Sequence, residues 1–221
     1  MDINKVLFWV GHASFYIKAN GKTIFIDPFN ITPAIKEKAD LVLITHAHFD
    51  HCNKDQIKKV LKPEGQVICP RGCLDKDIFK NFTLSKPGFK TDFSGISIDA
   101  VPAYNIKKER IHFHPKENEW VGYIVDVAGF KIYHAGDTDF IDEMRALHGL
   151  GASLLPMGGT YVMDVIEAAD AANAIKAQYA VPMHYKALLG KEGSANAEKI
   201  FMERARNAFI MKEVQEPSYS F

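Results

Sequence analysis

Cysteine is scarce in this chain. Cys52, Cys69 and Cys73 are the only three in 221 residues, an odd number too small for a disulfide framework, which points to a reducing compartment such as the cytoplasm. Long apolar runs are missing too. Nothing approaches the ~20 consecutive apolar residues that span a bilayer, so no membrane association is expected. The stretch MDINKVLFWVGHASFYIKANG has no basic leader ahead of an apolar segment, and no signal peptide is expected from it. Neither sign of charge is in excess, with Lys plus Arg and Asp plus Glu at 27 each. A neutral chain has no overall field to draw it to nucleic acid or an anionic lipid surface. Repeats, low-complexity tracts and linker-like segments are absent as well.

What is present is an alternation of short strands and helices. KVLFWV, SFYIKA and KTIFID are rich in aromatic and β-branched residues, and Gly11 and Asn20-Gly21 separate them, the latter pair being a strong hairpin signal. LVLIT, at 41–45, is the continuous apolar run expected of a strand covered on both faces. Residues 54–61 place Ile57, Val60 and Leu61 on one helical face, and a short helix is expected near 74–80. QVICP, FTLS, GISIDAV, the pair WVGYIVDV and KIYHAGD around Gly129, ASLLPM and YAVPMH read as strands. Asp164, three residues before Glu167, reads as the cap of a helix over 164–176. A last helix is expected over 194–209, capped by Ser194, with Ile200, Phe201, Ala205, Ala208 and Phe209 as its apolar stripe. Strands in two groups, each followed by helices, predict one α/β (α+β) domain over 1–221, two packed sheets with helices outside.

Directly after the LVLIT run come His46, His48, Asp50 and His51, three of the nine histidines of the chain within six positions. Residues two apart at an extended strand end point to one side, so His46 and His48 can reach a common point. After a turn, Asp50 and His51 can reach a neighbouring one. Imidazole nitrogen and carboxylate oxygen suit zinc, and also manganese or iron. Further donors are expected at other strand ends, where Asp137 in KIYHAGDTD and His184 in YAVPMHY stand.

THAHFDH, GDT and MH, together with IDPF at 26–29, resemble the motifs of the metallo-β-lactamase-fold hydrolases. WVGHASFYI resembles the start of their small single-domain branch, which includes the ascorbate-6-phosphate lactonases. The resemblance runs from about residue 6 to 190 and is specific for the superfamily, much less so for substrate. It implies a four-layer αββα sandwich with metals at one edge. It implies Asp50, His51 and His184 on one metal, His46 and His48 on the other, and Asp137 between them. It also implies a third histidine on the metal of His46 and His48, from the loop VPAYNIKKERIHFHPKENEW. Tyr104-Asn105 stands at the corresponding position, which leaves Asn105, His112 and His114 as open candidates. The centre is expected to hold one or two divalent ions, zinc first, with manganese or iron as alternatives.

Such a centre lowers the pKa of bound water until hydroxide forms near neutral pH. By the resemblance, Asp50 orients that water and accepts its proton. The expected activity is metal-dependent hydrolysis of a small-molecule ester, lactone or phosphodiester. A nuclease or a phospholipase D-like phosphodiesterase of the same fold, and a non-catalytic metal-binding sensor or scaffold, are the alternatives; the short, neutral chain argues against the nuclease. Several residues keep two readings. His12, in GHAS, lines the site or bonds Asp27, or is a structural turn histidine. Lys186 is an anion clamp or a plain surface lysine. His134 is expected to support the ligands from behind or to serve the core rather than to ligate, and Tyr161, in the GGTY turn, to come within reach of substrate.

Overall fold

Aromatic and β-branched residues of the N-terminal segment build the antiparallel strands β1 (Leu7–Gly11), β2 (Ser14–Ala19) and β3 (Lys22–Ile26) in a computed structural model that describes residues 2–73, 79–217 and 219. Asn20 and Gly21 both have positive φ, 50° and 70°, as a two-residue hairpin turn of the matching twist requires. β4 (Ala39–Leu43), β5 (Leu61–Pro70) and β6 (Phe82–Ser85) then add in parallel, completing the order β1-β2-β3-β4-β5-β6. A parallel step needs a crossover. Helix α1 (Lys54–Val60) supplies it between β4 and β5, with the Asn53 side chain accepting from the Gln56 N–H at 3.2 Å.

The second sheet repeats this division. β7 (Lys90–Phe93), β8 (Ile96–Pro102), β9 (Val121–Val127) and β10 (Phe130–His134) are antiparallel, whereas β11 (Leu150–Pro156) and β12 (Tyr179–Met183) continue in parallel. Helix α2 (Val165–Ile175) crosses from β11 to β12, and its N-terminus carries the full capping box read from Asp164 and Glu167. It packs on β11 and on α3 (Lys186–Arg204).

Alternation along the strands then divides the core. Leu7, Trp9, Phe15, Ile17, Ile24, Ile26, Leu41 and Leu43 join Ile96, Ile98, Tyr123 and Val125 of the second sheet in one cluster, which reaches Ala168 and Ala172 of α2. Val10, Tyr16, Phe25, Val42 and Ile44 project from the other face onto Ile57 and Val60 of α1. Both faces of β4 are therefore covered, the condition its unbroken apolar run implies. The layers run α/β/β/α, the four-layer sandwich the motifs imply. No helix among the described residues is long and apolar enough to cross a membrane.

Two elements depart from expectation, and a third lies mainly outside the described residues. The helix read over 194–209 starts earlier and stops sooner: α3 begins at Lys186, breaks at Gly190 (φ 65°, ψ −176°) and ends at Arg204. Ser194 is buried inside it instead of capping it. Beyond Arg204 the chain runs beside β12, where the Phe209 N–H donates to the Ala180 carbonyl at 2.8 Å. Strand β7 alternates exposed Lys90 and Asp92 with partly buried Thr91 and Phe93, too little apolar signal to read. The short helix near 74–80 falls on residues 74–78, outside those described, and Phe79 and Lys80 are not helical.

Candidate metal centre

The site sits at the edge of the sandwich where β4, β10 and β12 all end. β4 stops at Leu43, so His46, His48, Asp50 and His51 stand in the loop beyond it and not on a strand end. A tight turn gathers them, with the N–H groups of His51 and Cys52 both donating to the His48 carbonyl at 3.0 and 2.7 Å. β10 delivers Asp137 through Gly136, whose φ is 66°. A Cβ there would meet the Val121 carbonyl at 2.9 Å, so both conformation and space require glycine. β12 delivers His184, and the β1–β2 turn delivers His12. His12, Asp27 and His184 all have positive φ, 50°, 46° and 55°. Backbone strain at non-glycine residues is of order 1–3 kcal/mol each and concentrates at functional sites.

Besides Asp27 with His46 and His51, two donor groups result. His46, His48 and His114 bring one nitrogen each within 4.8 Å of one another, as do His12, Asp50, His51 and His184 with one nitrogen or oxygen each. Asp137 lies between the groups. Its Oδ2 is 3.4 Å from His114 Nε2 and 3.1 Å from His184 Nε2, and its Oδ1 is 3.5 Å from His51 Nε2. Despite these distances, none of the three nitrogens has a hydrogen-bond partner. Buried imidazole nitrogens left without hydrogen bonds around one carboxylate need an explanation. A divalent cation fits that arrangement.

Hydrogen bonds behind the imidazoles fix which nitrogen keeps its lone pair. His51 Nδ1–H donates to Asp27 Oδ2 at 2.7 Å. The Thr45 hydroxyl donates to the same oxygen at 2.6 Å, so it can only accept from His46 Nδ1–H at 3.0 Å. Asn105 donates through Nδ2 to Asp139 Oδ1 at 2.9 Å, and its Oδ1 then accepts from His114 Nδ1–H at 2.6 Å. In each ring Nε2 is left as the acceptor nitrogen, as outer hydrogen bonds of metal-binding histidines require.

Electrostatics favour the same occupant. Burial opposes ionisation of Asp137, yet the charges of His184 and His51 outweigh it and hold the carboxyl well below the usual carboxylate range. Asp50 is held low in the same way, against burial, by His51 and by the hydrogen bond from His12. Burial likewise opposes charge on His184, but Asp137 raises it to about 9. The carboxylates thus demand positive charge among the rings, which a metal supplies in place of protons. Burial and neighbouring His184 push His12 down to about 4. It therefore donates from a neutral ring, Nε2–H to Asp50 Oδ2 at 3.0 Å.

Of the open candidates, His114 is the one brought to His46 and His48. Asn105 stands behind it as a hydrogen-bond partner, and His112 is exposed, its ring tilted against Phe113 at 4.0 Å. His12 bonds Asp50, while Asp27 takes His51 and Thr45. Lys186 is neither clamp nor surface lysine: it is buried, paired with Glu213 at 2.9 Å, over the Trp9 ring. His134 serves the core, donating from Nε2 to the Ala13 carbonyl at 2.8 Å. Sequence reasoning missed Asp139, the last residue of GDTD. It accepts from Asn105, from the Ile106 and Lys107 N–H groups at 2.8 and 2.9 Å and from the Arg110 guanidinium, which also bonds Glu167. An aspartate two residues after Asp137 was the available signal. A cleft of ≈ 410 Å³ opens over the site, lined by His48, Phe49, Asp50, Phe113, His114, Asp137, Tyr161 and His184.

Known proteins resemble this chain in sequence and in fold. Residues 6–184 match the model of the beta-lactamase superfamily domain. A UPF0173 metal-dependent hydrolase of Thermoplasma volcanium is 36% identical over 198 residues, 84% of each chain. A crystal structure from Parabacteroides distasonis, described as that of a candidate metal-dependent hydrolase, superposes with a TM-score of 0.81 at 28% identity, covering 94% of this chain and 92% of that one. A metallo hydrolase of the archaeon Ignicoccus hospitalis superposes with a TM-score of 0.74 at 25% identity over 95% of both chains. The chain belongs to the beta-lactamase superfamily domain family, among its metal-dependent hydrolases.

Proposed function

We propose that this protein hydrolyses a small ester, lactone or phosphodiester at a centre holding two divalent metal ions, zinc first among the candidates. His46, His48 and His114 would hold one ion, Asp50, His51 and His184 the other, with Asp137 between them. The observation that carries this reading is the convergence of three unbonded Nε2 atoms, from His51, His114 and His184, on Asp137. A nitrogen-rich set with carboxylates suits zinc, and manganese or iron less closely. When bound, such ions supply Lewis acidity and an activated water.

The chain's own residues do the rest. Asp50 is half-buried, lines the cleft and is held ionised, so it can accept a proton from the attacking water. His12 fixes Asp50 through its Nε2–H, and a tilted ring contact with His184 at 3.9 Å between centroids keeps the His12 ring in place. Asp27 holds His51 and, through Thr45, His46. Phe49, Phe113 and Tyr161 limit water around the reacting group.

The test is metal analysis of protein purified without chelator or added metal, followed by assay on an ester and phosphodiester panel before and after chelation. Close to two metal ions per chain, activity lost on chelation and restored by metal, is the expected result. Undiminished activity in metal-free protein overturns the reading.

A further inference from the structure

The cleft over the centre has aromatic walls and, among the described residues that line it, no lysine or arginine. Its volume of ≈ 410 Å³ lies near the small end of pockets that enclose a whole small ligand. Phe49 is 63% exposed and Tyr161 38%, an unusual presentation of large rings beside a charged centre. Neither ring is loosely held: Phe29 meets Phe49 edge-on at 5.8 Å, and Phe113 meets Tyr161 edge-on at 4.8 Å. Pre-set aromatic faces favour another aromatic ring, by stacking or edge contact.

Four cations on the flanking segments are committed elsewhere. Lys107 and Arg110 pair with Glu167, Arg110 also with Asp139, Lys116 with Glu143 and Lys186 with Glu213. Turning one toward a ligand would leave its carboxylate unpaired, a heavy penalty where the pair is buried. Asp27, Asp50 and Asp137 offset much of the charge that divalent ions would bring. An anionic group on a substrate, away from the reacting bond, would lose water against aromatic rings and gain no partner.

We propose that the substrate is an uncharged ester or lactone whose acyl part carries an aromatic ring, with Phe49 and Tyr161 as the residues that select it. This rests on the hydrolase reading above and narrows it. In the reaction one water is consumed: its oxygen bonds to the carbonyl carbon, the bond to the alkoxy oxygen breaks, and the alcohol leaves carrying a proton. The acid formed then ionises.

The experiment compares methyl phenylacetate, methyl acetate, monomethyl succinate and bis(4-nitrophenyl) phosphate on the metal-loaded protein, with the esters followed by pH-stat. Methyl phenylacetate should exceed monomethyl succinate by about 10-fold or more in kcat/KM. Phe49→Ala and Tyr161→Ala should each raise KM for methyl phenylacetate several-fold, more than for methyl acetate, with metal content retained. Saturation-transfer NMR with phenylacetone, which has the ring and carbonyl but no leaving group, reads binding separately. Its signal should be strong with wild type and lost in the double variant. Equal or faster turnover of monomethyl succinate or of the phosphodiester overturns this proposal and leaves the hydrolase reading standing. No turnover of any compound removes the hydrolase reading, and phenylacetone binding then decides whether the aromatic site survives it; no binding overturns both.

Discussion

Two segments that reach the centre are built on opposite principles. Residues 46–51 place four donors in one tight turn, held by hydrogen bonds to the His48 carbonyl and by the cap that starts α1. The loop between β8 and β9 delivers a single donor, His114, and needs much of the molecule to aim it: Asn105 behind the ring, Asp139 behind Asn105, Arg110 across to Glu167 at the start of α2. The first arrangement is a property of neighbouring residues and appears in sequence as a motif. The second exists only once β10, α2 and the loop have met. A donor placed by its neighbours is hard to lose without changing it, whereas one placed from afar can be disturbed through residues that never touch the metal.

That contrast can be broken at graded points. Asp137→Ala removes the group common to both donor sets, and metal content and hydrolysis should both fall to background while the circular dichroism spectrum is retained. His114→Ala should remove only the loop's contribution, reducing metal content by about half as one site loses a ligand and the other keeps its own; unchanged stoichiometry would exclude His114 from the centre. Asp139→Asn strips the buried Arg110 of a charge partner and should lower stability by about 3 kcal/mol in urea titration. The same change at an exposed pair such as Lys90–Asp99 should be nearly silent. Asn105→Leu keeps the side chain's approximate size but removes the acceptor for His114, so affinity for the weaker-bound metal should drop about 10–100-fold in a competition titration.

The smallest effect is on pH dependence. Burial opposes ionisation of Glu167, but the hydrogen bond from Lys107, the Asp164 N–H and Arg110 outweigh it and hold the carboxyl below its ordinary 4.5. A lowered folded pKa contributes stability above the unfolded value, lost as pH falls through the folded one. Glu167→Gln should therefore flatten the acid side of the stability profile, by less than about 1 kcal/mol because solvent screens the pair.

Local signals carried much of the fold. The Asn20-Gly21 turn, the apolar run of β4 and the Asp164–Glu167 cap each depend on residues close in sequence, and each forms, although β4 spans Ala39–Leu43 rather than 41–45. Failures occur where partners are distant. β7 offers little apolar alternation because Phe93 is the one apolar residue of its four, and it is defined by pairing with β8. Lys186 looked like a surface or substrate lysine because nothing near it in sequence announces Glu213 or the Trp9 ring. In the centre, HAHFDH, the GDT aspartate and the last histidine were legible as residues that converge, while which of Asn105, His112 and His114 approaches them was not. That choice depends on Asp139 orienting the Asn105 amide, a relation between β10's end and β8's.

The donors are also divided between the two halves of the sandwich. His46, His48, Asp50 and His51 follow β4 in the first sheet, whereas His114, Asp137 and His184 follow strands of the second. An ion bound by both groups is consequently a staple between sheets. Its binding free energy enters the stability of the whole chain through mass action, rising with free metal concentration. Metal starvation would then be felt first as looser protection of amide hydrogens at this edge of the molecule, and degradation of starved protein would begin from there.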